Sequence, residues 1–72
     1  PGFAWSAQIE LSLYNLRGQR IATLATGERS AGLYSFAWDG RDDNGHALAS
    51  GVYLYRLRAG QRTETRKLTL LR

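Results

Sequence analysis

Residues 7–14 alternate strictly between apolar and polar. Ile9, Leu11 and Leu13 hold one phase and Gln8, Glu10 and Ser12 the other, the period-two pattern of a strand with one buried face. Asn15, Leu16, Arg17 and Gly18 then supply a turn, with Gly18 able to take the positive φ that ends a type I turn in a glycine bulge. A second strand over 19–25 is anchored by Ile21 and Leu24. Their three-residue spacing is out of period and predicts a bulge or an early end. Residues 26–32 read as a polar connection. Alternation resumes at 33–38 with Tyr34, Phe36 and Trp38 on one phase, again at 52–58 with Tyr53, Tyr55 and Leu57, and last at 62–71 with Leu68 and Leu70. Between these strands lie a turn-rich stretch at 39–46, whose Asn44-Gly45 pair is the strongest tight-turn signal in the chain, and a turn at Gly60.

Five strands without a helical period predict an all-β fold, an antiparallel sandwich or small barrel. Its expected core is the inward phase of each strand: Ile9, Leu11, Leu13, Tyr34, Phe36, Trp38, Tyr53, Tyr55, Leu57, Leu68 and Leu70. Trp38 is the largest of these, so its truncation is expected to do the most damage. At 72 residues, 43% hydrophobic and 22% charged, the chain is one globular domain with little room for an enclosed catalytic cleft. It has no cysteine, so burial alone must stabilise it. No apolar run approaches a membrane span, and no basic start leads into an apolar stretch. Pro1 stands first and the chain has no methionine, which reads as a processed or excised piece of a longer protein.

The net charge of +4 comes from nine arginines and one lysine against six acids. The arginines are scattered in sequence, mostly at turns or on polar phases, which favours a solvated basic face over a specific nucleic-acid stripe.

Three groups of residues invite a chemical reading. Asp39, Asp42 and Asp43, with Asn44, are candidate oxygen ligands for a cation. Started at Asp42, however, a calcium loop would need glycine at Ala47 and glutamate at Tyr53, and Asp and Asn are also what a turn selects for itself. His46 is the one histidine and lacks the supported nucleophile and oxyanion hole of a triad, so it reads as an exposed loop residue. Glu10, Glu28 and Glu64 are isolated, and the glycines occur singly at turns. No catalytic residue, resident metal or cofactor is implied. The aromatics could form a stacking platform for sugars, but most sit on the inward phase.

Four stretches carry a family resemblance: 11–21, with Asn15 and Gly18; 31–42, with Gly32 and Trp38-Asp39-Gly40; 49–57, with Ser50-Gly51-Val52-Tyr53; and 66–72. In order and spacing over about residues 8–72 they resemble the immunoglobulin-like module of the flagellar hook-capping scaffold, and the related C-terminal sorting domain of type IX secretion. The resemblance implies an antiparallel immunoglobulin-like β-sandwich at 7–72, without enzymatic activity, in a secreted or cell-surface bacterial protein. Its roles would be export sorting, anchoring or assembly. Self-assembly as a filament or scaffold subunit and carbohydrate binding are the rival readings.

Modules of this kind place a strand ahead of Ala7. Residues 1–6 are too short and irregular for one and read as an N-terminal arm or remnant strand. The edge beside residues 7–14 is therefore expected to be open to a protein partner or a further copy of the chain, with Phe3 and Trp5 as contacts.

Overall fold

The computed structural model describes residues 2, 3 and 6–72, with side chains from Ser6 onward. Six strands follow in order: β1 (Gly2–Phe3), β2 (Ala7–Tyr14), β3 (Arg20–Arg29), β4 (Gly32–Leu33), β5 (Gly51–Ala59) and β6 (Arg62–Leu70). Four of them form one antiparallel sheet in the order β3-β2-β5-β6. The two-residue strands β1 and β4 pair with each other in a separate small sheet. The architecture is all-β and antiparallel, consistent with an immunoglobulin-like sandwich whose second layer is thin.

The alternation of β2 sets the two faces. Ile9, Leu11 and Leu13 lie across from Ala59, Leu57 and Tyr55 on β5, and Tyr53 and Leu57 from Leu68 and Glu64 on β6. Ile9, Leu11, Leu13, Ala22 and Leu57 are buried, with Leu13 wholly inaccessible. Phe36, Tyr55, Leu24 and Ala25 pack around Ile9, Leu11 and Leu57. Tyr34, Trp38, Tyr53, Leu68 and Leu70 are half-buried, because the covering layer is one irregular segment rather than a full sheet.

The out-of-period anchors of β3 are accommodated by two register shifts. One falls between Leu11 and Ser12, where the partner register skips Leu24, and the other between Leu13 and Tyr14, where it skips Ile21. The first shift lets Leu24 and Ala25 both reach the core, which an unbroken alternation forbids. The strand does not end early; it continues to Arg29.

Two expectations need correcting. Residues 33–38 form no strand in the main sheet: Gly32 and Leu33 pair with β1, and residues 34–39 belong to no strand. Their burial still alternates, with Tyr34, Phe36 and Trp38 shielded and Ser35 and Ala37 exposed, so the apolar phase holds the segment against the sheet. Nor is β2 an edge. It pairs with β3 on one side and β5 on the other, while Gly2–Phe3 pairs elsewhere, and the sheet's edges are β3 and β6.

Leu13 is the largest side chain on β2 with no access to solvent. Leu13→Ala should cost about 2–5 kcal/mol, the range for a buried leucine truncated to a cavity. The check is urea unfolding followed by tryptophan fluorescence. A loss under about 1 kcal/mol would mean that the layer over Leu13 collapses freely into the space.

Candidate functional site

The longest irregular stretch, residues 38–48, is built as a clamp on the edge of β3. Within it, Asp42 heads a turn: Gly45 donates its N–H to the Asp42 carbonyl at 3.0 Å and Asp42 donates to the His46 carbonyl at 2.9 Å. The Asp42 Oδ1 accepts the N–H groups of Asn44 and His46, each at 2.9 Å. Gly45 has φ +82 while Asn44 keeps negative φ. The Asn44-Gly45 pair therefore closes a type I turn with a left-handed glycine, not a type I′ turn.

The hairpin between β2 and β3 repeats this pattern. Gly18 donates to the Asn15 carbonyl and Asn15 to the Gln19 carbonyl, both at 3.0 Å. The Asn15 Oδ1 accepts from Arg17 and Gln19.

Asp43, next to the head of the loop turn, reaches across to β3. Its N–H donates to the Ile21 carbonyl at 3.1 Å, and its Oδ1 accepts the Thr23 N–H at 3.0 Å. These are main-chain groups on the outer side of β3, which as an edge strand has no further ladder there, so the loop satisfies part of that edge. Asp39 in turn accepts the Arg41 N–H at 3.0 Å. All three candidate cation ligands thus have a carboxylate oxygen engaged by backbone N–H groups of their own chain. Among the described residues no group of three acidic, histidine or cysteine side chains is arranged to hold a metal. His46 is 78% exposed in its side chain, with Nδ1 3.6 Å from Asp42 Oδ2.

The other end of the loop is held by Trp38 and Arg72. Trp38 donates its indole N–H to the Arg41 carbonyl at 2.9 Å and meets Tyr53 edge to face at 5.4 Å, a favoured aromatic geometry. Arg72 donates to the carbonyls of Leu48 and Gly40 and, through its N–H, to Ser50 Oγ at 2.9 Å. Gly40 is buried with φ +77, and a Cβ there would come 2.6 Å from the Arg72 guanidinium.

Two surfaces remain outside this clamp. On the polar face of the sheet, Glu10 lies 3.7 Å from both Arg20 and Arg56, and the Arg56 guanidinium stacks 4.9 Å from the Tyr14 ring centroid. Exposed pairs at that separation add little stability, and the cation–π contact is the better-defined interaction. Ser12, on the polar phase in sequence, is wholly buried there. On the apolar face, a cleft of about 650 Å³ opens between the irregular segment and the sheet, lined by Phe36, Trp38, Tyr55, Leu68 and Leu70 among others.

The expected partner contacts, the side chain of Phe3 and the whole of Trp5, lie outside the described residues. The arginines do not stay scattered. Residues 51–72 hold six of the ten basic residues and one of the six acids, net +5, against −1 for residues 1–50. No helix among the described residues is long and apolar enough to cross a membrane.

A paired sheet of these strands with a clamped loop at 38–48 is the part of the chain that a family model described as the FlgD Ig-like domain matches, over residues 4–63 of 72. The chain belongs to the FlgD Ig-like domain family. That family is one of structural, non-enzymatic modules. The match takes in the clamp and the whole of β2, β3 and β5, and ends just inside β6. Neither curated proteins nor solved structures yield a match to this FlgD Ig-like chain.

The clamp makes two measurable predictions. Asp43→Ala should destabilise the chain by about 1 kcal/mol, the usual worth of one intramolecular hydrogen bond. Asp43→Asn, which keeps an Oδ1 acceptor, should recover most of the loss; equal losses in the two variants would show that charge, not the bond to Thr23, is what matters.

For Asp42, the His46 N–H is the main cause that holds its carboxyl below the ordinary 3.8, assisted by the Asn44 N–H and opposed by desolvation. A group whose folded pKa is depressed contributes stability above its unfolded pKa and loses it as pH falls through the folded value. Stability should therefore fall below about pH 4, and Asp42→Asn should flatten that part of the profile in urea titrations at successive pH values.

Proposed function

We propose that the chain is a protein-binding module of an exported or surface-associated bacterial protein, serving its assembly, anchoring or export sorting rather than catalysis. The observation that carries this reading is where the molecule commits its polar chemistry and where it does not. Asp39, Asp42 and Asp43, the residues most suggestive of a site, each accept from the loop or from β3. The sheet, by contrast, has β6 at its edge with no further strand among the described residues, over an apolar cleft that its own second layer only half covers. Sheet edges and half-covered apolar faces are what proteins use to bind other proteins.

Membership of a structural family associated with the flagellar hook cap supports an assembly role outside the cytoplasm. The glycan-binding reading gains nothing from the described aromatics: the polar atoms of Trp38, Tyr34 and Tyr53 donate to carbonyls of Arg41, Ser30 and Ala49. Self-assembly uses the same open edge and differs from partner binding in oligomeric state.

Deleting residues 7–72 from the protein in its bacterial host is expected to leave it synthesised but lost from the surface or assembled fraction. Unchanged fractionation would overturn the proposal.

A further inference from the structure

We infer that the outer edge of β6 accepts an extended acidic segment of a partner protein as a fifth strand of the sheet, an inference that rests on reading the chain as a protein-binding module. The first support is the direction of the backbone groups. Gly60 donates its N–H to the Gln8 carbonyl at 3.0 Å with Ile9 opposite Ala59, which in an antiparallel ladder turns the polar groups of Ala59 toward β6. Ala59 faces Arg62 across the hairpin. Alternation from that pair directs the N–H and C=O groups of Thr63, Thr65, Lys67 and Thr69 away from β5. Among the described residues β6 pairs with β5 alone, and residues 62–67 are all exposed. The opposite edge differs, because Asp43 already occupies β3 at Ile21 and Thr23.

The second support is charge. The β5 and β6 hairpin with its C-terminal residues carries net +5, and Arg62, Arg66 and Lys67 sit on the edge strand itself. An added strand places its side chains directly opposite these, where opposite charges attract and like charges repel. Two copies meeting edge to edge would bring two +5 hairpins together, whereas an acidic strand neutralises one. Toward the other end of β6, Leu68 and Leu70 border the cleft with Phe36 and Trp38, so the fitting segment carries acids opposite Arg66 and Lys67 and apolar side chains beside the leucines. A nucleic acid would answer the charge, but its phosphates only accept hydrogen bonds and leave the outward carbonyls unmatched, whereas an extended peptide meets donors and acceptors alike.

The test is an NMR titration of the isotope-labelled chain with a synthetic peptide of Glu and Val, about eight residues long to match a strand, with adjacent Glu residues to meet Arg66 and Lys67 and Val at the positions beside Leu68 and Leu70. Two analogues N-methylated on either alternate set of amides, a Lys and Val counterpart, and a single-stranded oligonucleotide at about 150 mM salt complete the series. The acidic peptide should shift the amides of residues 63–69 and slow their hydrogen exchange. One N-methylated analogue should lose binding while the other keeps it, the period-two signature of strand addition, and the Lys peptide should bind at least about tenfold more weakly.

Thr65→Pro removes an outward donor that no ladder bond uses, so it should leave the melting temperature unchanged and abolish binding. Should it fail to fold, Arg66→Glu with Lys67→Glu serves instead, with the same expected loss of binding. Equal binding of both N-methylated analogues, tighter binding of the oligonucleotide, or a dimer of the free chain by sedimentation that the peptide does not dissociate would each overturn the inference. If the edge amides stay unmoved while deletion of the module still displaces its protein in the host, the edge inference falls and the binding-module reading stands.

Discussion

A strand with neighbours on both sides must satisfy its backbone twice and have its apolar phase covered once; β2 and β5 are both such strands, and β2 is the one whose apolar phase is wholly buried. Its ladders to β3 and β5 fix the position of every other strand of the main sheet, because β6 reaches the sheet only through the tight hairpin from β5. Its apolar residues, Ile9, Leu11 and Leu13, are all buried, each gaining about 1.5–3 kcal/mol by leaving water. Nothing else among the described residues buries three consecutive inward positions. The bulges of β3 follow from the same demand: with Leu11 and Leu13 fixed by β5, β3 can bring both Leu24 and Ala25 to the core only by breaking register.

The outer side of β3 has a demand of its own, which the loop at 38–48 meets. An edge strand leaves a row of main-chain groups without ladder partners, and unpaired backbone groups shielded from water are expensive. Asp43 supplies one donor and one acceptor on that side, beside the register shifts. The loop can do this because Asp42 and Gly45 fold it into a self-contained turn and because Trp38, Gly40 and Arg72 hold its base. The acidic loop and the out-of-period strand are thus one feature of the fold, joined across about 20 residues of sequence.

Some of this was legible in the sequence. The alternation of residues 7–14, the glycine-bulge turn at Gly18 and the bulge in β3 can be read locally, since each depends on periodicity or on one residue's φ. The head-residue pattern, Asn15 with Gly18 and Asp42 with Gly45, is legible in principle but masked by the Asn44-Gly45 pair, because the residue three positions ahead of the glycine selects the turn. The pairing partner of residues 33–38 was not legible. Tyr34, Phe36 and Trp38 alternate in burial just as a strand's residues do, and alternation reports which side faces the core without reporting whether the backbone bonds to a neighbour. The error about the edge has the same origin. The sequence leads one to expect a strand ahead of Ala7 beside its neighbour, β2, yet Gly2–Phe3 pairs with Gly32–Leu33 across the molecule.

The distribution of charge gains its meaning only from topology. In sequence, nine arginines among turns and polar phases look dispersed, and net charge by itself argues about solubility and association, not about fold. Strand order places the most basic hairpin at one end of the sheet and leaves the nearly neutral remainder to form the rest. A basic edge strand commonly serves to prevent sheets from joining. The charge that repels a second copy is the same charge that attracts an acidic strand, so protection and recognition do not require different residues. Self-association needs both partners to carry the edge, and repulsion then acts from both sides; an acidic partner reverses the sign on one side alone. The β3 edge, by contrast, is covered at its bulge by Asp43, a residue of the chain's own loop. One edge is closed from within, and the other is selective through charge.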